Sequence, residues 1–251
     1  MNTPEDVAIA FENVSKSFGS QKVLDQLTFE VQAGTAFGIL GRSGTGKSVI
    51  LKHMIGLIKP DQGKIFVEGR NIVDLDRYGL AEVRQKIGFL FQNSALFDSI
   101  SVAENVAFHL RRHKKWEEDR IREQVKQCLA SVGLENDGEK MPASLSGGMK
   151  KRAGLARALA MDPDILLVDE PSSGLDPVTS EEIDNLLKRL KSDQSVTLVF
   201  VTHNIVSARS IGDELMFLER GKIVARGSPD QLEQCDHPLV RKFMHFEGVG
   251  N

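Results

Sequence analysis

Only two cysteines, Cys128 and Cys235, occur in 251 residues. That scarcity excludes a disulfide framework and suits a reducing compartment. Long apolar runs are missing too. None approaches the roughly 18–20 residues that cross a bilayer, and the strongest, Ile165–Val168 and Leu198–Val201, suit buried strands. The N-terminal stretch MNTPEDVAIAF is acidic, with no basic region ahead of an apolar one, so it reads as neither a signal peptide nor an Arg- and Ser-rich transit peptide. Any membrane role is expected to come through a partner. Excess positive charge is also lacking. Thirty-two Lys and Arg stand against 35 Asp and Glu, for a net charge of −3. That excludes a general polyanion-binding field, and no nucleic-acid partner is expected. No internal repeat or low-complexity linker is evident. What remains, 41% hydrophobic and 27% charged, is the composition of a globule able to bury its own core.

Short apolar runs alternate with longer amphipathic segments. Strands are expected at 8–11, 27–31, 35–40, 64–67, 87–91, 165–168, 196–201, 214–218 and 222–225. Continuous apolar strands alternating with helices predict a largely parallel sheet covered on both faces. The early cluster of strands predicts an added antiparallel piece. From Ser101 to Ala160 no strand candidate occurs, which predicts an inserted helical subdomain. Ser101-Val-Ala-Glu104 has the capping-box pattern of a helix start. Further helices are expected over 116–132 and 147–160. Thr179-Ser-Glu-Glu182 reads as a second capping box after Pro177. The tail, 236–251, is expected to end in a short amphipathic helix and then fray.

Three motifs carry chemistry. Gly41-Arg-Ser43-Gly44-Thr45-Gly46-Lys47-Ser48 fits the phosphate-binding pattern GxxxxGK[ST], between an expected strand and an expected helix. Its glycines let backbone N–H groups face a phosphate, and the helix N-terminus adds partial positive charge. Lys47 is placed for the β- and γ-phosphates and Ser48 for Mg²⁺. In Ile165-Leu-Leu-Val-Asp169-Glu170 an apolar strand ends in two acids, at the sheet edge where such folds bind ligands. Asp169 is the expected metal carboxylate, and Glu170, one peptide on, the group that polarises an attacking water. The third motif, Ser146-Gly147-Gly148-Met149, opens a helix. Taken alone it reads as a turn. As a second anion cradle it implies a head-to-tail dimer in which each copy covers the other's nucleotide.

With these motifs in this order, the chain resembles the nucleotide-binding subunit of an ATP-binding cassette (ABC) transporter over residues 7–230. The resemblance implies a single α/β domain over 1–251. That fold is a RecA-like P-loop NTPase core with an antiparallel β subdomain (1–92 and 162–235), an inserted α-helical subdomain (93–161) and a tail (236–251). It implies ATP and Mg²⁺ as ligands. Phe18 takes the place of the usual adenine-stacking tyrosine. Gln92 matches the glutamine that contacts the metal, Asp176 closes the Ser173-Gly-Leu-Asp loop, and His203 matches the histidine on the γ-phosphate. Ser146, Gly147 and Gly148 match the signature that binds the opposite subunit's γ-phosphate.

Position 149 is Met where the commonest signature has Gln. That departure, the stretch 91–106 and the tail 236–243 are similar to the ATPases of Mce/Mla-type lipid transporters. This closer resemblance implies (phospho)lipid transport at the cytoplasmic face of a bacterial inner membrane. The implied partners are a second copy of the chain, an integral membrane permease, a Mce-domain lipid-binding protein and a small regulatory STAS-type subunit. A polar-solute importer uses the same cassette, and a soluble ABC ATPase of repair or translation is a more distant alternative. Leu96 and Phe97 fall where the family receives the permease's coupling helix, and they equally suit ordinary core. His109 and His113 have metal-ligand spacing, but no third ligand is near and the surrounding Arg and Lys would repel a cation.

Overall fold

The computed structural model describes residues 6–245, which form ten strands and nine α-helices. In chain order these are β1 (Val7–Phe18), β2 (Gln21–Gln32), β3 (Ala36–Leu40), α1 (Lys47–Met54), β4 (Gln62–Val67), β5 (Arg70–Asn71), α2 (Arg77–Gln85), β6 (Ile87–Leu90), α3 (Val102–His113), α4 (Glu118–Ser131), α5 (Gly147–Leu159), β7 (Ile165–Asp169), α6 (Pro177–Gln194), β8 (Thr197–Thr202), α7 (Ile205–Ile211), β9 (Glu214–Glu219), β10 (Lys222–Gly227), α8 (Pro229–Glu233) and α9 (Pro238–Met244). They fall into two compact units. One comprises the chain through Arg84 together with the chain from Thr197 onward, and the other is Gln85–Val196. No helix among the described residues is long and apolar enough to cross a membrane.

The first unit contains the expected antiparallel piece, with strand order β2-β1-β4-β5. β1 is paired on both sides and is longer than its apolar run 8–11. Its second half does not alternate, since Val14 and Ser15 are both buried, and register shifts after Phe11 and Val14 break the period. In the same unit β3 lies between β8 and β9, parallel to both. All five residues of β3 and all six of β8 are buried, as strands covered on both faces require. β10 turns back antiparallel on β9. Phe11 stacks on Phe29 at 4.6 Å and Phe29 on Phe37 at 5.8 Å, joining the antiparallel piece to β3. Each such pair adds about 0.5–1.5 kcal/mol beyond the area it buries. The expected tail helix is α9, where the Phe243 ring meets Phe217 edge-on at 4.9 Å. Residues 246–251, and the first five residues of the acidic N-terminal stretch, lie outside the described residues.

The second unit joins the parallel pair β6–β7 to α3, α4, α5 and α6. Ser101 caps α3, accepting from the Glu104 N–H at 3.2 Å. The Glu104 carboxylate turns to Arg111 instead of back to Ser101, so only half of the expected box forms. The second expected box is corrected more fully. The cap of α6 is Asp176, which accepts from Val178 N–H at 3.1 Å and Thr179 N–H at 3.0 Å, and Pro177 is the first helical residue. Thr179 lies inside the first turn and donates its hydroxyl to Asp176 at 2.6 Å. An Asp ahead of Pro outcompetes a Thr three residues on, because its carboxylate accepts several N–H bonds at once and Pro fits the first helical position.

Candidate functional site

In the first unit, Leu40 ends β3 opposite Thr202 of β8. Gly41 and His203 therefore leave the same sheet edge side by side, on strands about 4.8 Å apart. The loop from Gly41 to Gly46 is shaped by three glycines at positive φ, 151° at Gly41, 79° at Gly44 and 102° at Gly46. A Cβ on Gly41 would stand 2.4 Å from the Leu218 carbonyl oxygen, so only glycine fits there. Lys47 is buried, and its Nζ donates to the carbonyls of Gly41 at 2.9 Å and Arg42 at 3.0 Å, closing the loop over the helix start. The amide N–H groups of Ser43, Gly44 and Gly46 meet no acceptor among the described residues. Thr45 is turned inward, its N–H and hydroxyl both donating to Arg42 O. Unclaimed donors at the start of a helix, beside a lysine and a half-buried Ser48, are the donor set a phosphate chain requires.

Phe18 ends β1 with 47% of its surface exposed. Its position is fixed by Asp61, which accepts from Ser17 N–H at 2.7 Å and pairs with Lys16 at 2.7 Å. The Lys16 bond holds the Asp61 carboxyl below its ordinary pKa. Lys16 Nζ in turn lies 5.6 Å from the centre of the Phe18 ring. The result is an open aromatic face beside a cation. His203 is exposed, directly ahead of the α7 cap Asn204.

In the second unit, Leu90 of β6 is opposite Val168 of β7. Gln92 and Glu170 each follow two residues beyond that pair. Asp169 is buried at the end of β7, whereas Gln92 is exposed and Glu170 half-buried. Glu170 has φ 51°, an uncommon left-handed conformation for a non-glycine residue, immediately before Pro171. Such strain costs about 1–3 kcal/mol and clusters at functional sites. Ser146 caps α5, accepting from Met149 N–H at 3.2 Å. Accepting leaves the hydroxyl proton free to donate. Gly147 is exposed at the helix start, while Gly148 is buried against α6. Asp176 is exposed, but its carboxylate is engaged in capping α6, and the Thr179 hydroxyl bond lowers its pKa. Among the described residues no cluster of three His, Cys, Asp or Glu could hold a metal by itself. In the second unit a strand-end carboxylate, Asp169, suits a Mg²⁺ that arrives with a nucleotide, because that ion takes one or two protein carboxylates plus phosphate oxygens.

Three organising residues escaped the sequence reading. Lys151 donates to the carbonyls of Gln92 and Glu170. Arg157 donates to Ser94 O at 2.7 Å and Ala95 O at 2.6 Å, in the loop after Gln92. Asn105 accepts from Phe97 N–H at 2.7 Å and donates to Phe97 O, Ile100 O and Ser101 O. Lys151 had a legible signal. It stands with Gly148 and Leu155 on the buried stripe of α5, where a lysine needs a partner. Phe97 is 44% exposed and packs on Phe108 at 4.7 Å, so it belongs to a surface aromatic pair and not to the core.

The ABC transporter family model matches residues 24–173. The chain belongs to that family. It is an ABC-type ATPase, the ATP-binding subunit of a transporter. The cassette is 43% identical over 247 residues to a probable ribonucleotide transport ATP-binding protein, mkl, of Mycobacterium leprae, covering 98% of this chain and 71% of that one. It is 39% identical over 242 residues to MlaF, the ATP-binding protein of an intermembrane phospholipid transport system in Haemophilus influenzae, covering 96% and 92%. A solved dimeric structure of the ATP-binding cassette MJ0796, in a post-hydrolysis state bound to ADP and Pi, superposes with TM-score 0.81 at 33% identity, over 88% of this chain and 98% of that one.

Proposed function

We propose that this ATPase drives phospholipid movement between bacterial membranes, working as a homodimer beneath a permease that carries the cargo. The observation that carries the cargo reading is the Ser146-Gly-Gly-Met149 signature, together with a match that spans 92% of MlaF. The name of the mycobacterial relative keeps a polar solute as the second reading.

In the proposed mechanism the P-loop amides and Lys47 hold the phosphates of ATP, and Phe18 offers its face to adenine. Ser48, Gln92 and Asp169 are the groups for Mg²⁺, which would neutralise charge building on the phosphates. Glu170 orients or deprotonates the attacking water, and His203 steadies the γ-phosphate. Ser146, Gly147 and Gly148 serve the nucleotide of the second copy, with Asp176 in the adjoining loop. Phosphoryl transfer leaves little covalent work for a protein, so positioning and charge stabilisation do most of the catalysis. The Phe97–Phe108 pair is the surface assigned to the permease. A Mce-domain lipid-binding protein and a small STAS-type regulator complete the proposed assembly at the cytoplasmic face of the inner membrane.

The test uses a tagged Glu170→Gln chain recovered from native membranes with ATP present, followed by mass spectrometry of co-purifying proteins and lipids. A multi-span permease with a Mce-domain protein and glycerophospholipid is expected. A permease with a soluble solute-binding protein would keep the ATPase and overturn the cargo.

A further inference from the structure

Lys151 lies five residues into the signature segment that begins at Ser146 and is 4% exposed. Its Nζ donates to two backbone carbonyls at once, Gln92 O and Glu170 O, the latter at 3.0 Å. These belong to the two residues that follow β6 and β7 at equal distance from the registered pair Leu90 and Val168. One ammonium therefore spans the ends of two parallel strands. It does so where the backbone is under load, because Glu170 is left-handed ahead of Pro171. The Glu170 carbonyl takes a second bond from Ser173 N–H at 3.3 Å.

Burying an ammonium is expensive unless its donors are satisfied. Burial pulls the Lys151 pKa below the usual lysine value, and the carboxylates of Asp169 and Glu170 oppose that pull. If filling space were the only need, an apolar side chain would do it at lower cost. A lysine in this position is explained by what it holds.

We propose that Lys151 is a positioning residue for ATP hydrolysis: by tying the Glu170 carbonyl to that of Gln92 it fixes the orientation of the Glu170 carboxylate. The proposal rests on the assignment of Glu170 as the group that acts on water. Because Lys151 and the Ser146–Gly148 cradle share the N-terminal part of α5, a shift of that helix end reaches both carbonyls through one side chain.

The test compares the parent chain with Lys151→Met, Lys151→Arg, Glu170→Gln and the double variant Lys151→Met/Glu170→Gln. It measures kcat and KM for ATP, and the melting temperature of each. Lys151→Met is expected to lower kcat at least about tenfold with KM within about twofold, since an interaction that orients the reacting group shows in kcat. Lys151→Arg, which keeps charged donors, should restore at least about half of the parent kcat. In the double variant, loss of Lys151 should change the residual rate by less than about twofold, because residues acting through one group are not additive. A Lys151→Met kcat within twofold of the parent overturns the proposal, as does a full tenfold loss on top of Glu170→Gln. If Lys151→Met fails to fold, Lys151→Ala, which also removes the donors, replaces it under the same criteria. Near-normal turnover by Glu170→Gln would instead overturn the assignment of Glu170 itself.

Discussion

Gly148 lies beneath the Thr179 methyl: a Cβ on the glycine would stand 2.6 Å from Thr179 Cγ2. The second glycine of the signature is thus required by the packing of α5 on α6, whatever ligand its neighbour meets. Gly148→Ala would gain up to about 1 kcal/mol of helix propensity and lose about 1–3 kcal/mol to overpacking. A net fall in melting temperature of about 2–6 °C is expected for a chain of this size. Thr179→Ser removes the methyl and keeps the hydroxyl bond to Asp176. In that background Gly148→Ala should cost nothing, and a thermal melt of the two double-cycle partners decides it.

Removing the Glu170 carboxylate should lower turnover by a factor of about 10²–10⁴, the range for a lost general base, while nucleotide binding persists. Lys47→Ala should do the opposite and weaken nucleotide binding itself. Equilibrium titration with a fluorescent ATP analogue, beside steady-state kinetics, separates the two. Equal affinity of parent and Lys47→Ala would contradict the loop's proposed role.

Asn105→Leu is nearly isosteric but strips four side-chain hydrogen bonds from the 97–101 turn. An orphaned buried polar group costs about 1–3 kcal/mol, so a loss of about 3 kcal/mol is expected. Hydrogen exchange gives the local signature: the Phe97 amide should exchange faster than in the parent, while amides of β3 change only through the global loss.

His53 is fully buried, with Nδ1 2.7 Å from Val49 O and Nε2 without a partner. That contact requires the proton on Nδ1, so a second proton would sit on Nε2 with nothing to receive it. Burial lowers the pKa from 6.5, with Lys16 acting in the same direction and the Val49 bond and Asp61 against it. A depressed histidine is neutral in both states above pH 6.5, and its contribution is complete there. As pH falls below 6.5 the unfolded chain takes the proton first, and stability is lost. The melting temperature should therefore drop between pH 7 and 5.5, and drop less in His53→Leu. The lowered carboxylates, such as Asp61, act in a more acidic window and do not confuse the comparison.

What could be read in advance followed from local chemistry. The Gly41–Ser48 loop, the acids after Ile165–Val168 and the β3 and β8 strands announce themselves through residue type at fixed spacing or through unbroken apolar runs. What could not be read depended on tertiary partners. The lengths of β1 and β2 come from pairing along both edges of β1, with bulges that break the alternation. The short α2, α7 and α8 have too few turns to show a period. At the start of α6 two cap patterns, Asp176 before Pro177 and Thr179 before Glu182, compete within four residues. Asn105 and Arg157 look like ordinary surface polar residues until the backbone they serve has folded around them.

The pairing of β3 has a consequence for how the chain is made. Both its neighbours, β8 and β9, arrive only after Thr197, roughly 160 residues downstream of Leu40. At about 5–20 residues per second, a ribosome needs about 8–30 s to deliver them. Throughout that interval Ala36-Phe-Gly-Ile-Leu40 has two bare edges and no polar side chain, the kind of segment that recruits other chains. Translation speed between the two halves of the first unit, rather than the stability of the finished product, sets how long that segment stays unpaired.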